Sequence, residues 1–155
     1  MKSIVACAFV GLFSVTSVEG GKPHCTLRAH LQANPRDGEV FATKLRSQTT
    51  GKNIVIEKVP TISERDVAAF YPYQAADGSY GVLFQLDDHG KLALDTLSVE
   101  KRGTFLYVFV NGRPAAELQI DRRVSDGKLY VASSLTPNDL VLMRKDWPLI
   151  GHRKK

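Results

Sequence analysis

Asp87, Asp88 and His89 are adjacent in the chain, and no other short stretch of the sequence is so rich in reactive side chains. Two carboxylates beside an imidazole can ligate a divalent cation or pass a proton, and a metal-dependent hydrolase is the enzymatic reading they support. A metal site needs further convergent ligands. The remaining histidines, His24, His30 and His152, stand near the two ends with no ligand spacing to His89, and Cys25-x4-His30 is equally loose. The sequence also has no G-x-S-x-G elbow, phosphate-binding glycine loop, H-E-x-x-H or C-x-x-C.

The elements on either side of the triplet give its acids a different job. GVLFQLD (81–87) reads as a strand with Val82, Phe84 and Leu86 on one face. GKLALDTLSVEK (90–101) has a helical period that predicts burial of Leu92, Ala93, Thr96 and Leu97. At such a joint an aspartate accepts hydrogen bonds from free helical amides, and its charge suits the positive end of the helix dipole. Asp88 is the expected cap. Lys101 and Arg102 match the opposite pole, and Gly103 supplies the left-handed stop. The acids thus have a structural role that requires no substrate, so the chain reads as not an enzyme, with no cofactor and no metal.

Other segments fill out the frame. CTLRAHLQA (25–33) alternates Leu27, Ala29 and Leu31 with polar residues, as a half-buried strand does. NPRDG (34–38) turns the chain, VFATKLR offers a partner strand, and NIVIEKV (53–59) is a further strand. Ser63 and Asp66 have capping-box spacing, predicting a helix with Val67, Ala68 and Phe70 on its apolar side and Pro72 at its end. Thr136 and Asp139 repeat that frame, with Pro137 in the first helical position and Leu140, Val141 and Met143 inward. TFLYVFV (104–110) is apolar on both faces, like a central strand. Asn111-Gly112 then turns into AAELQID, with Ala116, Leu118 and Ile120 inward and Glu117, Gln119 and Asp121 outward. SDG (125–127) turns again into KLYVAS, predicting one antiparallel meander. The fold class is α+β, a mostly antiparallel sheet with two or three short helices packed on one face.

Composition narrows the setting. Lys2 followed by the apolar run 4–15, with Val18 and Gly20 at the −3 and −1 positions, reads as a signal peptide over residues 1–20. The protein is therefore expected outside the cytoplasm, periplasmic or extracellular, an uncleaved N-terminal membrane anchor being the alternative. Cleavage removes Cys7 and leaves Cys25 without an intramolecular partner, so the fold must rest on its apolar core. The net charge is +5 and the pI about 9.3. That excess is dispersed, which argues against nucleic acid. The tail residues Arg153, Lys154 and Lys155 offer weak contact with an anionic membrane.

The order of these parts resembles a known family. A leading strand and capping box (GKNIVIEKVPTISERDVAAF) precede a phenylalanine-bearing strand that enters a helix through Gly90. That helix ends at Gly103, and an NGRP hairpin (111–114) and a T-x-x-D-capped helix follow. The arrangement resembles the head subdomain of the first periplasmic region of SecD-type protein-export membrane proteins. The resemblance covers roughly residues 51–145. It divides the chain into a signal (1–20), an N-terminal extension or hairpin (21–50), a SecD-head-like domain (51–146) and a basic tail (147–155), without the family's membrane part. It also implies an exported, non-enzymatic module with a protein or peptide partner. Tyr71, Tyr73 and Tyr80, in YPYQAADGSY, are the candidate binding residues, and a sheet edge is a second route to the same ligand.

Overall fold

The computed structural model of the protein describes residues 21–152. The expected signal peptide (1–20) and the basic residues 153–155 lie outside the described residues. The protein is α+β. Its strands are β1 (Leu27–Leu31), β2 (Ala42–Arg46), β3 (Asn53–Glu57), β4 (Ile62–Ser63), β5 (Val67–Gln74), β6 (Tyr80–Leu86), β7 (Phe105–Val110), β8 (Arg113–Gln119) and β9 (Lys128–Leu135). Helix α1 (Asp88–Glu100) follows β6, and helix α2 (Pro137–Asp146) follows β9.

The strands form three antiparallel sheets, ordered β4-β1-β7-β8, β2-β3 and β5-β6-β9. β7 is a central strand, as its apolar composition predicts, with β1 on one side and β8 on the other. β1 buries Leu27, Ala29 and Leu31 as its alternation requires. Asn111 and Gly112 both take positive φ, 50° and 74°, the geometry of a tight hairpin whose twist matches its strands.

Four elements differ from the sequence reading. First, Ser63 and Asp66 do not open a helix. They bracket one 3-10 turn (Glu64–Asp66), and the chain then extends into β5. Phe70 donates its backbone N–H outward to the Pro148 carbonyl, so the nitrogen of Pro72, two residues on, faces the same outer edge and costs the ladder no bond. Second, VFATKLR pairs with β3 and not with β1. Third, the expected meander splits, because β9 pairs with β6 while β8 keeps only β7. The link between β8 and β9 is tied down onto α1. Arg123 makes a two-pronged bond to Asp95 at 2.5 and 2.8 Å, and the Val124 amide donates to Ser98 Oγ at 2.9 Å. Fourth, the buried face of α1 is Gly90, Leu94, Leu97 and Ser98, whereas Leu92 is 67% exposed.

One apolar cluster joins both larger sheets and both helices. Phe70, Phe84, Val82, Val131 and Met143 are fully enclosed within it. Trp147 presents its ring edge-on to Phe70 and Phe84, at centroid distances of 6.5 and 5.9 Å. No described helix is long and apolar enough to cross a membrane.

Candidate functional site

The strand-to-helix joint resolves the Asp-Asp-His triplet. Asp87, not Asp88, is the N-cap of α1, and its Oδ1 accepts from the Gly90 amide at 2.8 Å. The shift of one position places Asp88 in the first turn, where its charge still suits the dipole. The residue that joins Asp87 and His89 is Asp66, distant in sequence. Ligand atoms of these three lie within 4.8 Å of one another, and Asp88 is not among them.

Hydrogen bonds already occupy the cluster. Asp66 Oδ2 accepts from the Ser63 amide at 2.7 Å and its hydroxyl at 3.1 Å, while Asp66 Oδ1 meets His89 Nδ1 at 2.7 Å. Burial works to raise the Asp66 pKa, but these donors outweigh it and hold the carboxyl below the usual range. The bond to Asp66 raises the His89 pKa in turn. A cation would have to displace both the cap bonds and the His89 contact. The cluster's present chemistry is that of a fastening between the 3-10 turn and α1.

The Thr136–Asp139 box forms as the sequence predicts and buries Leu140 and Met143, but Val141, expected inward with them, is exposed. Asp139 accepts from the Thr136 amide at 2.8 Å and its hydroxyl at 2.7 Å, and also from Asn111 Nδ2 at 2.7 Å and Arg113 at 2.6 Å. Burial opposes ionisation here too, and the same four donors hold the pKa low. Cys25 is buried and free. Burial first, then the nearby Asp139 and Asp146 carboxylates, push its thiol up to about 12, so it is unreactive at neutral pH.

The three tyrosines do not share a face. Tyr71 and Tyr73 stand on the outer face of the β5-β6-β9 sheet, while Tyr80 alternates with Val82 and Phe84 and packs against the core. The Tyr73 ring lies across Gly81, where an added Cβ would meet its Cζ at 2.2 Å. Its hydroxyl donates to the carbonyls of Val131 and Ala132, each at 3.1 Å, and its ring stacks on Tyr130 at 5.5 Å. Burial, then the neighbouring Tyr130, raise its pKa to about 12. Tyr71 and Tyr130 remain 56% and 52% exposed.

Tyr130 also lines a groove. A cavity of about 860 Å³ opens where the β8 and β9 edges approach without pairing. Leu83, Leu94, Leu97, Leu106, Leu118 and Tyr130 supply its apolar lining, and the link that carries Arg123 lines the rest. The sequence does carry a signal for Tyr130, because it falls between the inward Leu129 and Val131 and so must face out. Nothing local announces the groove, since its walls come from five separate elements.

The architecture is shared with solved structures. One, a crystal structure of SecDF in a super-membrane-facing form, superposes with a TM-score of 0.57 at 12% identity. The match covers 82% of this chain and 19% of that one. This is a SecD-head-like fold. A second structure, of a membrane component SecDF that enhances protein export, gives a TM-score of 0.54 at 13% identity, over 81% of this chain and 64% of that one. The chain thus spans less than two thirds of either relative. No protein-family model matches it, and no curated protein matches it either.

Proposed function

We propose that the protein is an exported, non-enzymatic binding module that holds an extended peptide or protein segment in the groove between β8 and β9. One observation carries the reading: an apolar groove lies between two strand edges that have no ladder partner. An extended segment laid along an edge gains backbone hydrogen bonds there, and pockets for alternate side chains select its sequence. Other edges are less available. Residues 148–150 bond to Phe70 on the outer side of β5, and β4 is only two residues long. Pro114 blunts the turn end of β8, which favours β9 as the docking strand. The exposed Tyr130 and Tyr71, with Tyr73 stacked between strands, extend the groove as an aromatic platform. A structural relative that enhances protein export fits an unfolded protein segment as the occupant.

The test is fluorescence anisotropy with a labelled, unstructured apolar peptide. Saturable binding is expected, weakened about ten-fold by Tyr130→Ala, the size of effect a central aromatic anchor has at an interface. No saturable binding by the unaltered protein, or binding indifferent to Tyr130→Ala, would overturn the reading.

A further inference from the structure

A second surface stands apart from the groove, at the open end of the β2-β3 hairpin. The chain turns there through residues 38–41, where the amides of Phe41 and Ala42 donate to the Gly38 carbonyl at 3.0 and 3.2 Å. The Lys58 amide donates to the Phe41 carbonyl at 2.9 Å, which holds Val59 beside that turn. Three large apolar side chains are thereby displayed together. Val40 is 76% exposed, Phe41 74% and Val59 76%, each more than any other large hydrophobic residue among those described. Isolated exposed apolar residues are ordinary, but three at one end of a hairpin form a wedge that nothing among the described residues covers.

The ground behind the tip is basic. A groove of about 410 Å³ between the hairpin and β1 is lined by Arg28, His30 and Lys44 together with Thr26 and Thr43, and no acidic residue contributes to it. Arg28 and Lys44 are exposed and have no ion-pair partner among the described residues. His30 is fixed by a 2.8 Å bond between Nδ1 and the Glu57 carbonyl, with its ring edge-on to Phe109. Asp37, Glu39 and Glu57 are matched in number by three of the six cations from Arg28 to Lys58, which leaves a surplus of three positive charges along the hairpin and its neighbour.

We propose that this end of the hairpin is a contact for an anionic lipid bilayer, with Val40, Phe41 and Val59 entering the headgroup layer and Arg28 and Lys44 receiving lipid phosphates. An apolar wedge backed by unpaired cations has the chemistry of interfacial membrane binding, in which buried apolar area and attraction to anionic lipid add together. The proposal is independent of the peptide groove, which uses other elements.

The apolar run at 4–15 can enter lipid by itself, so the test needs a readout local to the hairpin. Phe41→Trp in the full chain supplies one, because the native Trp147 is buried at 7% exposure. Vesicles of roughly equal parts phosphatidylglycerol and phosphatidylcholine, with brominated acyl chains, are expected to quench the introduced indole and shift its emission to the blue. Adding Arg28→Gln and Lys44→Gln should weaken that quenching about ten-fold, as should high salt. Absence of quenching while the chain sediments with vesicles would overturn the proposal. So would equal quenching by phosphatidylcholine alone, or a blue shift produced by raising protein concentration without lipid, which would assign the tip to a second copy of the chain.

Discussion

Two stretches of this protein carry the same four-residue motif and build different things from it. In Ser63–Asp66 and Thr136–Asp139 alike, the aspartate accepts both the amide and the hydroxyl of the residue three positions earlier. After Thr136 the chain winds into a helix of ten residues, with Asp139 in its first turn. After Asp66 it straightens, with Val67 at φ −90° and ψ 119°. The difference lies downstream. Pro72 penalises helical geometry at Tyr71 and would lack an amide for any helix passing through it. The β-branched and aromatic residues around it favour a pleated surface, and β6 offers them a full-length partner. Leu140 to Asp146 contains no such breaker, and Pro137 sets the first helical turn in advance. A capping box therefore specifies one turn of chain, and the residues beyond it choose the element.

The two boxes are fastened differently, and this comparison can be broken experimentally. Asp139, with a side chain only 3% exposed, holds the β7-β8 turn through Asn111 and Arg113 as well as capping α2. Asp139→Ala should cost about 3 kcal/mol, because it removes a buried carboxylate that serves four donors at once, one of them an ion-pair partner. Urea unfolding with an unchanged m-value checks it, and a loss no greater than that of an ordinary cap would show the Asn111 and Arg113 bonds to be idle. Asp66→Ala should cost less, about 2 kcal/mol, since beyond the box it serves one partner, the largely exposed His89, where Asp139 serves two. If the two losses come out equal, the helix that follows Asp139 adds nothing to the box.

The smallest effect is a pH dependence with two limbs at the Asp66 box and one at the Asp139 box. The Asp66 pKa is lowered on folding, so its contribution is present above the unfolded carboxyl value of about 4 and fades as pH falls through the folded one. The His89 pKa is raised, so its contribution is complete below the unfolded value of about 6.5 and fades as pH rises through the folded one. The tie is therefore strongest between those limits. Thermal unfolding across that range should show His89→Ala erasing the alkaline decline while leaving the acid one in place. Asp139, whose lowered pKa has no titrating partner at neutral pH, should show the acid decline alone.

Much of the frame is legible in single segments. The inward faces of β1 and β6, the doubly covered β7, the Asn111-Gly112 turn and the capped α2 follow from alternation, apolar content and turn chemistry over a few residues. Gly103 takes the expected positive φ, +88°, but α1 stops earlier, with Lys101 as its C-cap, and the Gly103 amide donates to the Ile120 carbonyl at 2.8 Å. Errors arise where two local preferences compete. At 63–72 the cap argues for helix and Pro72 for strand, and only the waiting edge of β6 decides. In α1, Leu92 and Leu94 both satisfy a helical period, and contact with β6 and the neighbouring turn selects Leu94. Glu117 reads as a plain outward residue, yet it accepts from the Ser47 hydroxyl at 2.8 Å and the Gln48 amide at 2.6 Å, pinning the far turn of the β2-β3 hairpin.

The sequence by itself determined the fold class, the strand faces and the order of parts that resembles a SecD head, because these depend on periods and turns encoded within a few residues. Tertiary structure alone decided which groups meet. It brought Asp66 to His89, kept Asp88 apart from them, sent Tyr80 to the core and Tyr71 outward, and left a groove between β8 and β9. Hydrogen bonds and apolar contacts between distant segments make those choices, and the pairing of one strand with another is a property of the whole chain.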